Sequence, residues 1–208
     1  MTDTETFIQP IFPTPLYISK IKRKLTEDEL NYINEEKKIS LFNFQNKYSD
    51  NSDVLRHSSM QNLHDEIMVK VQEYFDNVIA TTDKVKPYIV SSWLNWTEPN
   101  QKHHEHLHSN SLISGVYYVN CFENVDSITF LKDEKSQIKF ANFKELHRFN
   151  SETWTIPVST GNLIMFPSFL KHKVEIHEGK HTRISLAFNV FVKGKIGSKK
   201  KLTYLEIK

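Results

Sequence analysis

Four of the chain's ten histidines fall within six residues, at His103, His104, His106 and His108, directly ahead of the apolar run Ser111-Leu-Ile-Ser-Gly-Val-Tyr-Tyr-Val-Asn120. Successive side chains of an extended strand point to opposite faces, so His104, His106 and His108 are expected on one face and His103, Glu105 and Leu107 on the other. Two imidazoles at i and i+2 can grip one first-row metal ion. The best third ligand is His172, at the start of a later β-rich run. Arg183 opens the alternating segment Arg183-Ile-Ser185-Leu-Ala-Phe-Asn189 and shares a face with Ser185. An arginine turned inward from an apolar strand is costly unless it meets an anion, and its fork matches a carboxylate. A metal and an anion-binding pair are therefore expected in one pocket. Two alternatives stay open. A register shift would let His103 and Glu105 supply a pair from the opposite face. His177 and His181 could replace His172, although the polar connection His177-Glu-Gly-Lys-His-Thr182 is expected to turn them to solvent.

The elements that must hold these residues follow from periodicity. Phe7–Ile21, interrupted by Pro10, Pro13 and Pro15, predicts an extended edge segment packed on the core. Thr26 and Glu29 form a capping box, with Leu25 and Leu30 as a hydrophobic staple, for a helix over 27–37. Leu41–Met60 is rich in Asn, Ser and Asp and is expected to be loop. Leu63, Ile67, Val71, Tyr74, Phe75 and Val78 recur at helical spacing over 62–80. From Tyr88 the pattern changes to seven short strands broken by Gly, Pro, Asn and Asp, without βαβ alternation, which argues for an antiparallel sandwich or barrel. The tryptophans Trp93, Trp96 and Trp154 are expected in the core or at the pocket lip. The chain divides into an extended segment with bracing helices (1–85), a β core (86–192) and a basic tail (193–208) that carries Lys199, Lys200 and Lys201, all within one domain of 208 residues.

Composition excludes several classes. A formal net charge of +2 gives no global reason for a nucleic-acid partner. Cys121 is the only cysteine, so no internal disulfide can form and a reducing, cytoplasmic setting is expected. No apolar run reaches membrane-spanning length, and the polar start does not resemble a signal peptide. The polar segments 41–60 and 142–152 are candidate walls of a substrate mouth. Neither the substrate nor the oligomeric state is legible.

The ordered set Trp93-x-Asn95, His106-x-His108, Ser-Gly-Val-Tyr-Tyr-Val119, Gly161-Asn-Leu-Ile-Met-Phe-Pro-Ser168, His172-x-Val174, and Arg183-Ile-Ser185 through Phe188-Asn189 resembles a family of 2-oxoglutarate and Fe(II)-dependent oxygenases, many encoded by bacteria and their phages, and more distantly the prolyl 4-hydroxylase branch of that superfamily. The resemblance covers roughly 88–192. It implies a mainly β fold, a double-stranded β-helix (jelly-roll, cupin-like) with N-terminal bracing α-helices. It implies Fe(II) held by His106, His108 and His172, and 2-oxoglutarate anchored through its far carboxylate by Arg183, with Ser185, Tyr118 and Asn95 beside it. It also implies dioxygen as co-substrate, hydroxylation of a small molecule or protein side chain, and release of succinate and carbon dioxide. One departure stands out: the superfamily's usual His-x-Asp or His-x-Glu is here His106-x-His108. Three neutral ligands leave the ferrous charge at +2, which a dianionic co-substrate would neutralise. Two other classes fit the residues less fully: a three-histidine, cupin-like enzyme that uses no 2-oxoglutarate, and a non-catalytic β-sandwich that binds a ligand or partner.

Overall fold

The computed structural model describes residues 5–43, 45–133, 138 and 140–208. In chain order the elements are β1 (Tyr17–Lys20), α1 (Glu27–Lys38), β2 (Leu41–Phe42), β3 (Lys47–Tyr48), α2 (Gln61–Tyr74), β4 (Lys84–Thr97), β5 (His103–His106), β6 (Ile113–Asn120), β7 (Ser127–Leu131), β8 (Thr153–Pro157), β9 (Asn162–Pro167), β10 (His172–Val174), β11 (Arg183–Ile196) and β12 (Leu205–Ile207). They form two antiparallel sheets. The larger has the order β1-β9-β6-β11-β4-β3-β2, with β12 on the outer part of β11; the smaller has the order β5-β10-β7-β8. Neighbours that are distant in sequence, such as β6 beside β11 and β5 beside β10, make this a jelly roll of the double-stranded β-helix kind.

Both helices brace one face of the large sheet. Thr26 caps α1 as expected: its side chain accepts from the Glu29 amide, and the Glu29 carboxylate accepts from the Thr26 amide at 2.7 Å. The staple is only half present, because Leu25 packs against the core while Leu30 is exposed. α2 buries Leu63, Ile67, Val71 and Tyr74 and continues as a π-helical turn over Phe75–Ile79, ended by Ala80 in the left-handed conformation. Against these helices the sheet presents Leu94 and Trp96 of β4, Tyr117 of β6, and Leu186, Phe188 and Val190 of β11. The opposite face, with Val116 and Tyr118 of β6, meets Ile128 and Phe130 of β7 to make a second core between the sheets. Strand alternation thus decides which residues brace the fold and which reach the space between the sheets.

Two expectations are corrected. The stretch 41–60 is not all loop: β2 and β3 add two short edge strands, and 3-10 turns at Val54–Arg56 and Ser58–Met60 bury Val54, Leu55 and Met60. Strands of two residues leave no period to read. The segment before β1 packs only at its end, where β1 forms the edge beside β9; Phe7, Ile8, Ile11 and Phe12 are exposed. The basic tail is a hairpin, since β11 runs on to Ile196 and β12 pairs back onto it. Among the described residues no helix is long and apolar enough to cross a membrane.

Candidate metal and co-substrate centre

Two features of register build the site. On the large sheet Ser185 of β11 lies opposite Asn95 of β4 on one side and Tyr118 of β6 on the other. Directly paired residues share a face, so these three side chains form one row. Two residues along, Ala187 lies between Trp93 and Val116, and two further, Asn189 lies between Ser91 and Ser114. The pocket wall is therefore polar at its Arg183 end, apolar in its middle and polar again at Asn189. On the small sheet His172 of β10 pairs with His106 of β5, facing that wall.

The pairing of β5 with β10 then slips: His106 opposes His172, but His103, not His104, opposes Val174. This bulge corrects the strict alternation expected for the cluster. An extra residue re-aims the side chains that follow it. His103 consequently lines the pocket with His106, His108 and His172, while His104 and Glu105 are exposed. His103 stacks on His106 with ring centroids 4.5 Å apart. Among the described residues Glu105 belongs to no group of potential ligands, whereas ligand atoms of His106, His108 and His172 lie within 4.8 Å of one another.

Each of these three histidines has its Nδ1 already engaged. His106 Nδ1 lies 2.8 Å from the His104 carbonyl, His172 Nδ1 lies 3.1 Å from the Leu170 carbonyl, and His108 Nδ1 lies 2.6 Å from Asn189 Oδ1 and 2.9 Å from Ser114 Oγ. A carbonyl only accepts, so Nδ1 carries the proton and Nε2 keeps its lone pair for the pocket. Such an outer acceptor is what orients a metal-bound histidine. His108 Nε2 is buried without a partner. Behind His108 the hydroxyls form a row: Ser114 lies 2.9 Å from Ser168, and Ser168 donates to Ser111 at 2.8 Å, which donates to main-chain carbonyls of Ile113 and Val190. Burial is the largest cause that lowers the basicity of the cluster, with the neighbouring imidazoles adding to it: His172 is pushed down to about 2, His103 to about 3 and His106 to about 4, and His108 is lowered by burial. The ligands are thus neutral at physiological pH, as metal binding requires.

The far end of the pocket holds Arg183, only 3% exposed, with its guanidinium 5.3 Å from the centroid of the Tyr118 ring and one terminal nitrogen 3.5 Å from Ser185 Oγ. Burial pushes the Tyr118 phenol well above its ordinary range, so it remains an O–H donor. Tyr118 Oη, Arg183 Nε and Asn95 Oδ1 are all buried without a hydrogen-bond partner, the nearest countercharge to Arg183 Nε being Asp126 Oδ1 at 3.8 Å. Buried polar groups are rarely left so, and here several of them, with His108 Nε2, line one cavity. Three lone pairs at one end and unpaired donors beside a cation at the other suit a metal ion and a ligand with a remote carboxylate. Trp93 stands over His108, with centroids 5.4 Å apart, as the lip; Trp96 is core and Trp154 is exposed on β8.

Sequence reasoning missed several residues that shape this centre. Asn189 and Ser114 orient His108; Asn189 could have been found, because it falls two steps of alternation beyond Ser185. Asp126, beside β7, is buried; its Oδ2 is hydrogen-bonded to His181 Nε2 at 2.8 Å, and its Oδ1 lies 3.2 Å from His177 Nδ1. This corrects the expected solvent-facing orientation of His177 and His181: His177 is 3% exposed and His181 is partly buried. An acid before a strand reads as a turn residue, and no local pattern reveals its distant partners.

Residues 91–189 match the family model described as "Putative 2OG-Fe(II) oxygenase". No curated protein matches the chain by sequence. Among solved structures, the chain is similar to the non-heme alpha ketoglutarate dependent carbocyclase SnoK from nogalamycin biosynthesis, with 12% identity and a TM-score of 0.57 over 88% of this chain and 81% of that one. It is similar to HygX from Streptomyces hygroscopicus, which was crystallised with nickel, 2-oxoglutarate and hygromycin B, with 8% identity and a TM-score of 0.55 over 85% and 82%. A 2OG-Fe(II) oxygenase family oxidoreductase from Burkholderia pseudomallei shares 11% identity at a TM-score of 0.53 over 78% and 76%. The family match over 99 of the chain's 208 residues (91–189) and the shared fold agree with the geometry of the pocket: this part of the chain resembles the 2OG-Fe(II) oxygenases.

Proposed function

We propose that the chain is an Fe(II)- and 2-oxoglutarate-dependent hydroxylase in which His106, His108 and His172 hold the metal and Arg183, with Ser185 and Tyr118, holds the far carboxylate of 2-oxoglutarate. The observation that carries this reading is the line-up in one cavity of three free Nε2 atoms and, across it, a buried guanidinium beside an unpaired phenol. Bound iron supplies the chemistry by which dioxygen oxidises 2-oxoglutarate to succinate and carbon dioxide and a substrate C–H bond is hydroxylated.

The protein's own contribution is placement and charge. The three histidines enter neutral because burial disfavours their protonated forms, so the metal keeps its full double charge and the dianionic co-substrate balances it. Arg183 offers a planar pair of N–H donors to a carboxylate, and the Tyr118 hydroxyl adds a third donor. Asn95 completes this polar wall. The apolar middle, Val116 and Ala187, keeps water from the span between the two anchors. A metal enzyme with no anionic co-substrate would leave the Arg183 guanidinium with only Ser185 Oγ at 3.5 Å and, as counter-charge, Asp126 at 3.8 Å from Nε. The substrate is an unidentified small molecule or protein side chain. The whole chain acts as one catalytic unit in the cytoplasm, a setting that suits the single buried thiol of Cys121.

Anaerobic titration of the Fe(II)-loaded protein with 2-oxoglutarate tests the reading. A weak visible metal-to-ligand charge-transfer band that saturates at one equivalent is expected. Iron binding without the band would remove 2-oxoglutarate from the assignment, and failure to bind iron would remove the metal site as well.

A further inference from the structure

Behind Arg183 lies a buried cluster that the proposed chemistry does not use. Asp126 stands between β6 and β7, and His177 and His181 stand in the connection from β10 to β11. One donor atom from each of the three lies within 4.8 Å of the others. Asp126 Oδ2 accepts from the Phe122 amide at 2.8 Å and lies 2.8 Å from His181 Nε2. Main-chain bonds fix His177 from both sides, its N–H to the Gln101 carbonyl and its carbonyl to the Asn100 amide. The two rings close over Gly179, where a Cβ would come within 2.6 Å of His177 Cε1 and 2.9 Å of the His181 ring.

His177 is prepared in the same way as the three pocket histidines. Its Nε2 lies 2.7 Å from the His181 carbonyl, which only accepts, so Nε2 carries the proton and Nδ1 keeps its lone pair. That nitrogen lies 3.2 Å from Asp126 Oδ1, with both side chains 1% exposed. Neither atom has a hydrogen-bond partner. Two acceptors side by side and sealed from water are costly as they stand. Their separation is the one that two ligands of a single ion require: bonds of about 2.0–2.1 Å at tetrahedral angles place donor atoms about 3.3 Å apart. Imidazole nitrogen and carboxylate oxygen both belong to the donor set of zinc. Arg183 Nε approaches the same Asp126 oxygen at 3.8 Å. A carboxylate oxygen has two lone pairs, so Oδ1 can turn one to an ion and the other to the guanidinium, and the negative charge then stands between the two positive ones.

We propose that Asp126, His177 and His181 form a second metal site, which takes Zn(II), with water reaching the fourth position past the partly exposed His181. The ion joins the corner before β7 to the connection that leads into β11. Ferrous iron stands below zinc in the affinity order of such donors, and with two imidazoles beside a guanidinium it should not survive gel filtration at this place. The site does not depend on the assignment of iron or 2-oxoglutarate to the pocket.

Equilibrium dialysis of the full chain against Zn(II), followed by metal analysis, tests the proposal. The unaltered protein should hold one zinc per chain more than His177→Gln. The same difference should separate His172→Ala from His172→Ala/His177→Gln, where zinc binding in the pocket is already weakened. Equal zinc content within either pair of folded proteins would overturn the site. A second measurement needs no variant: anomalous scattering at the zinc edge from crystals of the unaltered chain soaked in Zn(II). A peak between Asp126 Oδ1 and His177 Nδ1 is expected, and no peak there would overturn the proposal even if zinc fills the pocket. A peak there with none among His106, His108 and His172 would support this site and count against the metal assignment of the pocket instead.

Discussion

At the scale of single residues, the two ends of the pocket separate experimentally. His172→Ala removes one of the three proposed metal ligands and should abolish stoichiometric iron binding, as read by metal analysis after gel filtration. One iron per chain retained in that variant would take His172 out of the ligand set. Arg183→Ala should instead leave iron bound and weaken 2-oxoglutarate by roughly 100-fold, in line with a loss of about 2–5 kcal/mol when one partner of a buried charge pair is truncated. An unchanged dissociation constant would show that the carboxylate lies elsewhere. His108→Asp should still bind iron, because the carboxylate would restore the more usual ligand type at that place. That His106, His108, His172 and Arg183 meet in one pocket was legible in the sequence, because spacing within strands fixes which side chains share a face. The orientation of His103 was not, because a bulge breaks that rule and depends on the partner strand. The cluster around Asp126 was not legible either, since its members meet across 51 and 55 residues of chain (177 − 126 and 181 − 126) and no local period links them.

At the scale of elements, the most constrained contact is where β6 crosses β11. Gly115 pairs with Phe188, and a Cβ at Gly115 would come within 2.1 Å of Phe188 Cζ in a fully buried region. Gly115→Ala should therefore destabilise the fold by at least the 1–3 kcal/mol or so typical of an overpacked core. Chemical denaturation measures the loss, and Gly115→Ala/Phe188→Leu should recover part of it. Thr26→Ala should cost about 1 kcal/mol through loss of the α1 cap. The long strands β4 and β11 and the helix α2 were readable from period, and α1 from its capping box. The two-residue strands β2 and β3, which lie on the edge beside β4, were not, because their identity comes from the neighbour they pair with.

At the scale of the whole molecule, the metal-free protein should lose stability as pH falls. His103, His106 and His172 are held in the fold far below their ordinary value of 6.5, so the unfolded chain binds more protons than the native one once pH drops below about 6.5. Stability present above that pH is then lost progressively toward the native values of about 4, 3 and 2. Melting curves between neutral and acid pH, with and without a divalent metal, check the sign: a metal that binds only the native state raises the midpoint, and it should do so less at low pH, where protons compete for the ligands. A different consequence follows from where the ligands sit. His106 and His172 belong to the small sheet, while His108 is tied through Asn189 and Ser114 to the large one. An ion bound to all three is then a rivet through two leaves, and 2-oxoglutarate, reaching on to Arg183, is a second fastening set beside it. Opening of the leaves should become rarer with each fastening added. Amide hydrogens of β5, β7 and β10 should exchange with solvent most rapidly in the bare protein, more slowly with metal, and slowest with both.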